Sequence, residues 1–140
     1  MAFDNVVKTL DETQVVAIVT TRAAGQTIAT PIWSMVVDGV PYVRSAFGED
    51  SWWYRHINAG RPVAFVDGDG SLAERDREAA LALPRDPVAT TYVPADDPVQ
   101  SRIDEEIVRK YAGARQASVD AMLSPQAREC TLKVEAPAAT

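Results

Sequence analysis

The sequence contains almost none of the residues from which metal sites and disulfides are built. Its 140 residues include one cysteine, Cys130, and one histidine, His56. A single cysteine cannot pair within the chain, and a zinc cluster of cysteine and histidine is excluded. We therefore expect no metal site, and we expect Cys130 to be a buried thiol without a catalytic role.

Long apolar runs and a basic leader are also lacking. No segment approaches the roughly 18 consecutive apolar residues of a membrane span, and residues 1–10 do not combine a basic start with an apolar core. These features predict a cytoplasmic protein without a membrane partner. The formal net charge of −6 repels a phosphate backbone, so no nucleic-acid partner is expected.

The composition is that of a globular protein. Hydrophobic residues make up 46% and charged residues 24% of the chain. A chain of this length buries about 68% of its unfolded surface, which is enough to fold without a metal or a disulfide. We expect one domain, residues 1–140, with a frayed tail at 136–140.

Short apolar segments bounded by turn residues predict about six strands. Helical periodicity predicts short helices at 3–12 and 52–59 and a longer one after Asp97, while 71–85 is ambiguous but favours a helix. Because strands and helices do not alternate regularly, the pattern predicts an α+β fold that is mainly β, an antiparallel barrel with flanking short helices. The predicted strands are 14–21, 27–37, 40–47, 62–66, 88–93 and 128–135.

The strongest local signal is Asp38-Gly39 between two apolar runs, which predicts a hairpin with a type I′ turn. The register then pairs Val37 with Val40 and Trp33 with Arg44. Trp33 and Arg44 could stack or jointly hold a ligand. They could equally be a cross-strand pair on a solvated face of the sheet.

Two strand ends carry groups suited to an anion. Arg44, Ser45 and Gly48 combine a guanidinium, a hydroxyl and an open backbone just before a helix start, which favours phosphate. The alternative is a structural strand-to-helix turn. Arg22, which follows two threonines, and Thr30 could complete the same site if the strands are adjacent, or Arg22 could be a solvated turn residue.

Aromatic residues and His56 are the remaining candidates. Trp33 and Trp52 could stack on a flat heterocycle, whereas Trp53 is expected to be structural, and Tyr54 follows it directly. His56 has an unperturbed pKa near neutrality and is the candidate general acid or base. Its alternative role is a hydrogen bond to a backbone carbonyl.

Several segments together resemble the flavin/deazaflavin oxidoreductase superfamily, whose members share the split β-barrel of pyridoxamine-phosphate-oxidase-like proteins. They are V-T-T-R, T-P-I-W, V-D-G-V-P-Y-V-R-S, W-Y-R-H-I-N-A-G-R-P and A-D-D-P-V-Q. The sequence is especially similar to an uncharacterised bacterial branch near the deazaflavin-dependent nitroreductases.

The resemblance implies a homodimer that binds flavin mononucleotide (FMN) or a deazaflavin in an interface groove. It places Arg44, Ser45 and Gly48 at the cofactor phosphate, Arg22 and Thr30 beside them, and Trp53 and Tyr54 as braces of the site, while Trp33 is a cofactor-binding candidate from its place in the hairpin. The chain departs from the superfamily at Phe47, at Glu49, at His56 and in the short turn 22–26.

Three functions remain open on this evidence. The first is a flavin- or deazaflavin-dependent oxidoreductase acting on a small organic molecule, with the chemistry supplied by the cofactor. The second is a cofactor-free isomerase, cyclase or lyase of natural-product metabolism that uses His56 in the same groove. The third is a noncatalytic module that binds a small ligand.

Overall fold

In a computed structural model that describes residues 2–137, a single curled antiparallel sheet carries short helices on its faces. Its seven strands are β1 Val16–Thr21, β2 Thr27–Ile32, β3 Ser34–Val37, β4 Val40–Arg44, β5 Val63–Val66, β6 Arg85–Val93 and β7 Thr131–Glu135. The strand order in the sheet is β2-β1-β5-β6-β7-β4-β3.

Seven α-helices are described, together with one 3₁₀ turn at Gly48–Asp50. The α-helices are α1 Ala2–Glu12, α2 Trp52–Asn58, α3 Leu72–Arg75, α4 Arg77–Leu81, α5 Val99–Lys110, α6 Gln116–Met122 and α7 Pro125–Arg128. The predicted α+β class and split antiparallel barrel are confirmed. Among the described residues, no helix is both long and apolar enough to cross a membrane, and no metal-binding cluster of acidic, histidine or cysteine side chains occurs.

The predicted hairpin is confirmed, but its first strand is interrupted. Asp38 and Gly39 have φ of 52° and 79°, as a type I′ turn requires, and Val37 pairs with Val40. The predicted strand 27–37 divides at Trp33, however, because residues before it pair with β1 and residues after it pair with β4. Six predicted strands therefore become seven.

The end of α5 holds this interruption in place. The Lys110 ammonium donates to the carbonyl oxygens of Leu10 (2.7 Å) and Ser34 (2.8 Å). The Tyr111 hydroxyl accepts from the Ser34 amide at 3.0 Å. The Trp33 ring stacks on Tyr111 with centroids 3.9 Å apart, so Trp33 does not pair with Arg44 as predicted.

Apolar side chains fill the inside of the curled sheet and the space beneath α5. Val16, Ile18, Phe65 and Leu132 are among the buried residues of the interior cluster, which Trp53 also joins. Burying each such side chain contributes about 1.5–3 kcal/mol. These interactions fix α2 against the barrel and so fix one wall of the site described below.

The ambiguous segment 71–85 forms α3 and α4, which pack over the outer side of β1 and β2 through Ala73 and Ala80. Gly70 makes this approach possible. Its amide donates to Val15 O at 2.8 Å, and a Cβ placed on it would lie 2.2 Å from the Ala17 nitrogen. The predicted frayed tail lies mostly outside the described residues, since 138–140 are not among them.

Candidate functional site

A cavity of about 680 Å³ lies where the sheet fails to close. One wall is the end of β2, residues 30–32, with Trp33, and the opposite wall is the 46–53 segment that connects β4 to α2. Side chains of α4 and α6 complete it. Ligand pockets in proteins have volumes of about 300–1,000 Å³, so this cavity has the size of a small-molecule site.

The position of the cavity follows from the sheet order. β2 pairs only with β1, so its other edge is open. Pro31 lies on this strand, borders the cavity and has no N–H to donate. A proline on an edge strand disfavours pairing with a further strand, so the space beside β2 stays open as a cavity.

Four aromatic side chains, Trp33, Phe47, Trp52 and Trp53, line the cavity. Trp33 lines it from the strand interruption, with Tyr111 stacked behind it. Trp52 is 49% exposed at the mouth, and the Arg77 guanidinium lies 5.1 Å from the centroid of its ring. Trp53 is buried but still reaches the cavity. Such walls suit a flat, conjugated ligand.

Thr30 adds a polar group with no partner. The residue is 9% exposed and borders the cavity, and its hydroxyl oxygen makes no hydrogen bond within the described chain. A buried hydroxyl without a partner costs about 1–3 kcal/mol. The oxygen itself has almost no accessible surface, so a ligand that reached it through a small shift of the wall would recover part of that cost.

Arg44 serves the fold instead of the cavity. It borders the cavity, but its side chain has no exposed surface, and all five of its N–H groups are used. They donate to Thr131 Oγ1 (3.0 Å), Asp104 Oδ1 (2.6 Å), Met122 O (3.1 Å), and Gln100 O (3.3 Å) and Oε1 (2.7 Å). No donor remains for a phosphate. Burial lowers the pKa of Arg44, and Asp104 opposes that effect.

Ser45 and Gly48 are likewise committed to the turn that follows β4. The Ser45 hydroxyl donates to Gly48 O at 2.6 Å and lies 2.7 Å from Ser51 Oγ. Gly48 has φ of 63°, and a Cβ there would approach the Gln126 side chain to 2.5 Å. In the geometry described, these residues hold the strand-to-helix turn through their own contacts, and their role at a cofactor phosphate stays a prediction.

His56 and Arg22 lie elsewhere. The His56 Nδ1 atom is 2.8 Å from the Thr20 hydroxyl, and neither His56 nor Arg22 lines the cavity. Burial lowers the pKa of His56, and the positive charges of Arg61 and Arg22 lower it further. The structure thus separates His56 and Arg22 from Trp33, Trp53 and Thr30.

Tyr54 braces α2 from the inside. It is buried in the interior cluster, and its ring meets Trp53 edge-on at 6.1 Å. Burial raises its pKa to about 12. Tyr54 positions the cavity wall without lining the cavity.

Sequence reasoning missed Arg77 and the contribution of α6. Arg77 comes from the ambiguous segment 71–85, and Ser118, Ala121 and Met122 come from α6. Arg77 lies in a charged stretch beside Asp76 and Glu78, so no local signal distinguishes it from a solvated arginine. Nothing in the local pattern indicates that α6 reaches the cavity, because that contact depends on tertiary packing.

Solved structures confirm the fold. The conserved hypothetical protein Rv2991 from Mycobacterium tuberculosis has a TM-score of 0.59 at 15% identity, with 100% of this chain and 82% of that chain covered. HutZ, a heme storage protein from Vibrio cholerae, has a TM-score of 0.59 at 10% identity, covering 99% and 92%.

A candidate pyridoxamine 5′-phosphate oxidase from Listeria innocua has a TM-score of 0.54 at 13% identity, covering 94% and 88%. At these identities the likeness concerns the fold alone. No curated protein matches the chain. A family model described as "Uncharacterized protein conserved in bacteria (DUF2255)" matches residues 6–134. Because that match spans most of the sequence, the chain belongs to this uncharacterised bacterial family with a split-barrel fold.

Proposed function

We propose that this protein binds a flat, largely apolar small molecule in the cavity between β2 and α2. The observation that carries the proposal is the aromatic cavity beside an unpartnered hydroxyl, formed by Trp33, Trp52 and Thr30. Stacking a conjugated ring on an exposed aromatic side chain contributes about 1–3 kcal/mol. Arg77 at the mouth favours an acidic substituent on the ligand.

Flavins and deazaflavins are the first ligand class to test, with oxidoreductase activity as the associated function. When bound, such a cofactor supplies hydride or electron transfer. The aromatic walls fit its rings, but the residues predicted to hold its phosphate do not fit, because Arg44 and Ser45 have no free donor. In this proposal Trp52 and Trp53 orient the rings, and Arg77 replaces Arg44 as the available cation.

A heme is the second probe, because one protein of the same fold is a heme storage protein. The single histidine is bonded to Thr20 outside the cavity, so the chain offers no histidine there as an axial ligand. We therefore expect a metal-free planar ring to bind more tightly than hemin.

A cofactor-free enzyme is less well supported. Besides the buried Arg44, Asp50 and Arg77 are the titratable side chains that line the cavity, and His56 is not among them. Acid–base chemistry in this cavity would therefore depend on Asp50, which is exposed at the mouth and near Arg55 at 3.4 Å. His56 remains a predicted general acid or base for a reaction outside this cavity.

The homodimer predicted from the superfamily resemblance is also a proposal. Phe47 is 71% exposed and Trp52 49% exposed at the cavity mouth. A second copy that covered both rings would close the mouth and bury apolar surface. Sedimentation of the wild type and of Phe47→Glu tests this, and a wild type that remains monomeric at every concentration would refute it.

Tryptophan fluorescence during titration with riboflavin, FMN, a deazaflavin and hemin tests ligand binding directly. We expect Trp52→Ala to weaken binding about tenfold, in line with the loss of one stacking contact. Tyr92→Ala is the matched control, because Tyr92 is 52% exposed and does not line the cavity.

Thr30→Val separates the binding role from packing. Valine removes a hydroxyl that makes no hydrogen bond in the described structure, so we expect stability to stay equal or to rise by about 1 kcal/mol while ligand affinity falls. Saturable binding followed by reduction with a nicotinamide supports the oxidoreductase, and binding without turnover supports the noncatalytic module. Failure of all four probes to change the fluorescence would overturn the assignment to planar ligands.

A further inference from the structure

Two arginines and the single histidine gather at the end of β1, away from the cavity. His56 Nδ1 lies 2.8 Å from the Thr20 hydroxyl, and Arg61 Nη1 donates to Thr21 O at 3.2 Å. Arg22 follows Thr21 directly, where the chain turns toward β2. We call Arg22, His56 and Arg61 the cationic cluster.

The two arginines of the cationic cluster meet no carboxylate among the described residues, a state they share with Arg75, Arg77, Arg85 and Arg115, but they differ from these in acting on the single histidine. Within residues 2–137, neither Arg22 nor Arg61 forms an ion pair. The charges that act on His56 are those of the two arginines, and both lower its pKa. Paired arginines include Arg44 and Arg128 with Asp104, Arg55 with Asp50, Arg102 with Asp38, and Arg109 with Glu106.

The hydrogen bonds of the cluster orient its groups and leave donors available. Thr20 is fully buried and holds the His56 ring through Nδ1, so Nε2 remains for another partner. Arg61 uses Nη1 for Thr21 O, and Arg22 is exposed with its side chain outside every described hydrogen bond. Unneutralised cations beside a directed imidazole form an arrangement that a bound anion would stabilise.

We propose that the cationic cluster is an anion site for a phosphate or sulfate group, independent of the cavity. A tetrahedral oxyanion would accept from both guanidinium groups and from His56. Because its negative charge would offset the two arginines, binding would favour the protonated imidazole. None of the three side chains lines the cavity, so the two sites are tested separately.

The lone histidine gives a direct readout. In protein without a tag, His56 contributes the only histidine Cε1–H resonance, which can be followed by NMR while pH is varied. Sulfate is the main probe, because its charge stays constant over that range, and chloride at equal ionic strength controls for screening. We expect sulfate, and not chloride, to raise the pKa of His56 in a saturable manner.

Variants of the cluster complete the test. Arg22→Ala and Arg61→Ala should each weaken sulfate binding about tenfold, the effect expected for loss of one charge-assisted hydrogen bond. Arg61→Gln keeps a donor for the Thr21 carbonyl oxygen but removes the charge, and it should also bind sulfate more weakly. Arg115→Ala, a change at another exposed arginine, should bind sulfate as the wild type does.

The source of the phosphate is tested by titrating inorganic phosphate and phenyl phosphate in parallel. Tighter binding of the ester supports an organic phosphate as the natural ligand, and equal binding supports the free ion. A His56 titration that sulfate moves no more than chloride does would overturn the anion site. That outcome would leave the cavity proposal untouched, because ligand binding there is read from tryptophan fluorescence.

Discussion

Replacement of Arg44 by leucine is the change that best separates a structural from a ligand-binding role. The substitution removes a fully buried guanidinium together with all five of its hydrogen bonds. Asp104 keeps Arg128 as a partner, so one carboxylate oxygen stays paired. The carbonyl oxygen of Met122 and the side-chain oxygen of Gln100 lose the donor that Arg44 supplied.

The expected loss of stability is large. Breaking a buried charged pair costs about 3–5 kcal/mol, against a total stability of about 5–15 kcal/mol for a domain. Lysine at this position keeps the charge but cannot reach five acceptors, so we expect Arg44→Lys to lose about 2 kcal/mol or more. Urea unfolding followed by tryptophan fluorescence measures both values.

Arg55→Ala is the matched control, because Arg55 is exposed and loses only a hydrogen bond to Glu49 O (2.9 Å) and an approach to Asp50 at 3.4 Å. An exposed ion pair of this kind contributes at most about 1 kcal/mol. If Arg44→Leu unfolded at the same urea concentration as the wild type, the buried network would not stabilise the fold. Loss of ligand affinity at unchanged stability would restore Arg44 as a ligand-binding residue.

Three further changes test the packing and the titrating groups. Gly70→Ala should destabilise the fold by about 3 kcal/mol, since the added Cβ would lie 2.2 Å from the β1 backbone. Gly113→Ala should leave stability unchanged in the same urea assay, because no atom lies within 4 Å of the added Cβ. Burial lowers the pKa of Lys110 from 10.5 to about 8. Between pH 8 and 10 the unfolded chain therefore binds more protons than the folded one, and the free energy of unfolding should rise with pH. Lys110→Met should lack this rise. Because the pKa of His56 is lowered in the fold, its contribution to the free energy of unfolding is complete above pH 6.5 and is lost as pH falls below that value. His56→Gln should remove this part of the pH dependence, and the same loss of stability in acid for both proteins would contradict the expectation.

Local signals predicted the strands and the hairpin register, because alternation and turn chemistry act over a few residues. Asp38-Gly39 determined the pairing of Val37 with Val40, and the observed ladder agrees. Trp33 was assigned to a strand for the same reason, since it continues the alternation. Its true position depends on Tyr111 and Lys110, more than seventy residues away, and no local pattern encodes that contact.

The site residues also divide into those that local patterns identified and those whose contacts depend on tertiary packing. Trp33, Trp53 and Thr30 were predicted near a ligand and do line the cavity. Arg44 was predicted to hold a phosphate, with a structural turn as the alternative, and the sequence does not show that Asp104 and Gln100 accept its hydrogen bonds. The Gln100 side chain accepts from Arg44 and donates to backbone carbonyls, contacts that depend on tertiary packing and that no local pattern encodes.

The strand that unites the sheet, β7, follows the other six described strands along the chain. β7 lies between β6 and β4 in the sheet. No strand pairing therefore joins β2, β1, β5 and β6 to the Asp38-Gly39 hairpin until residues 131–135 pair with both. Pairing over such long separations along the chain makes folding slow. The chain must therefore keep the open edges of β4 and β6 apart until β7 pairs with both, which makes β7 the strand whose loss divides the sheet.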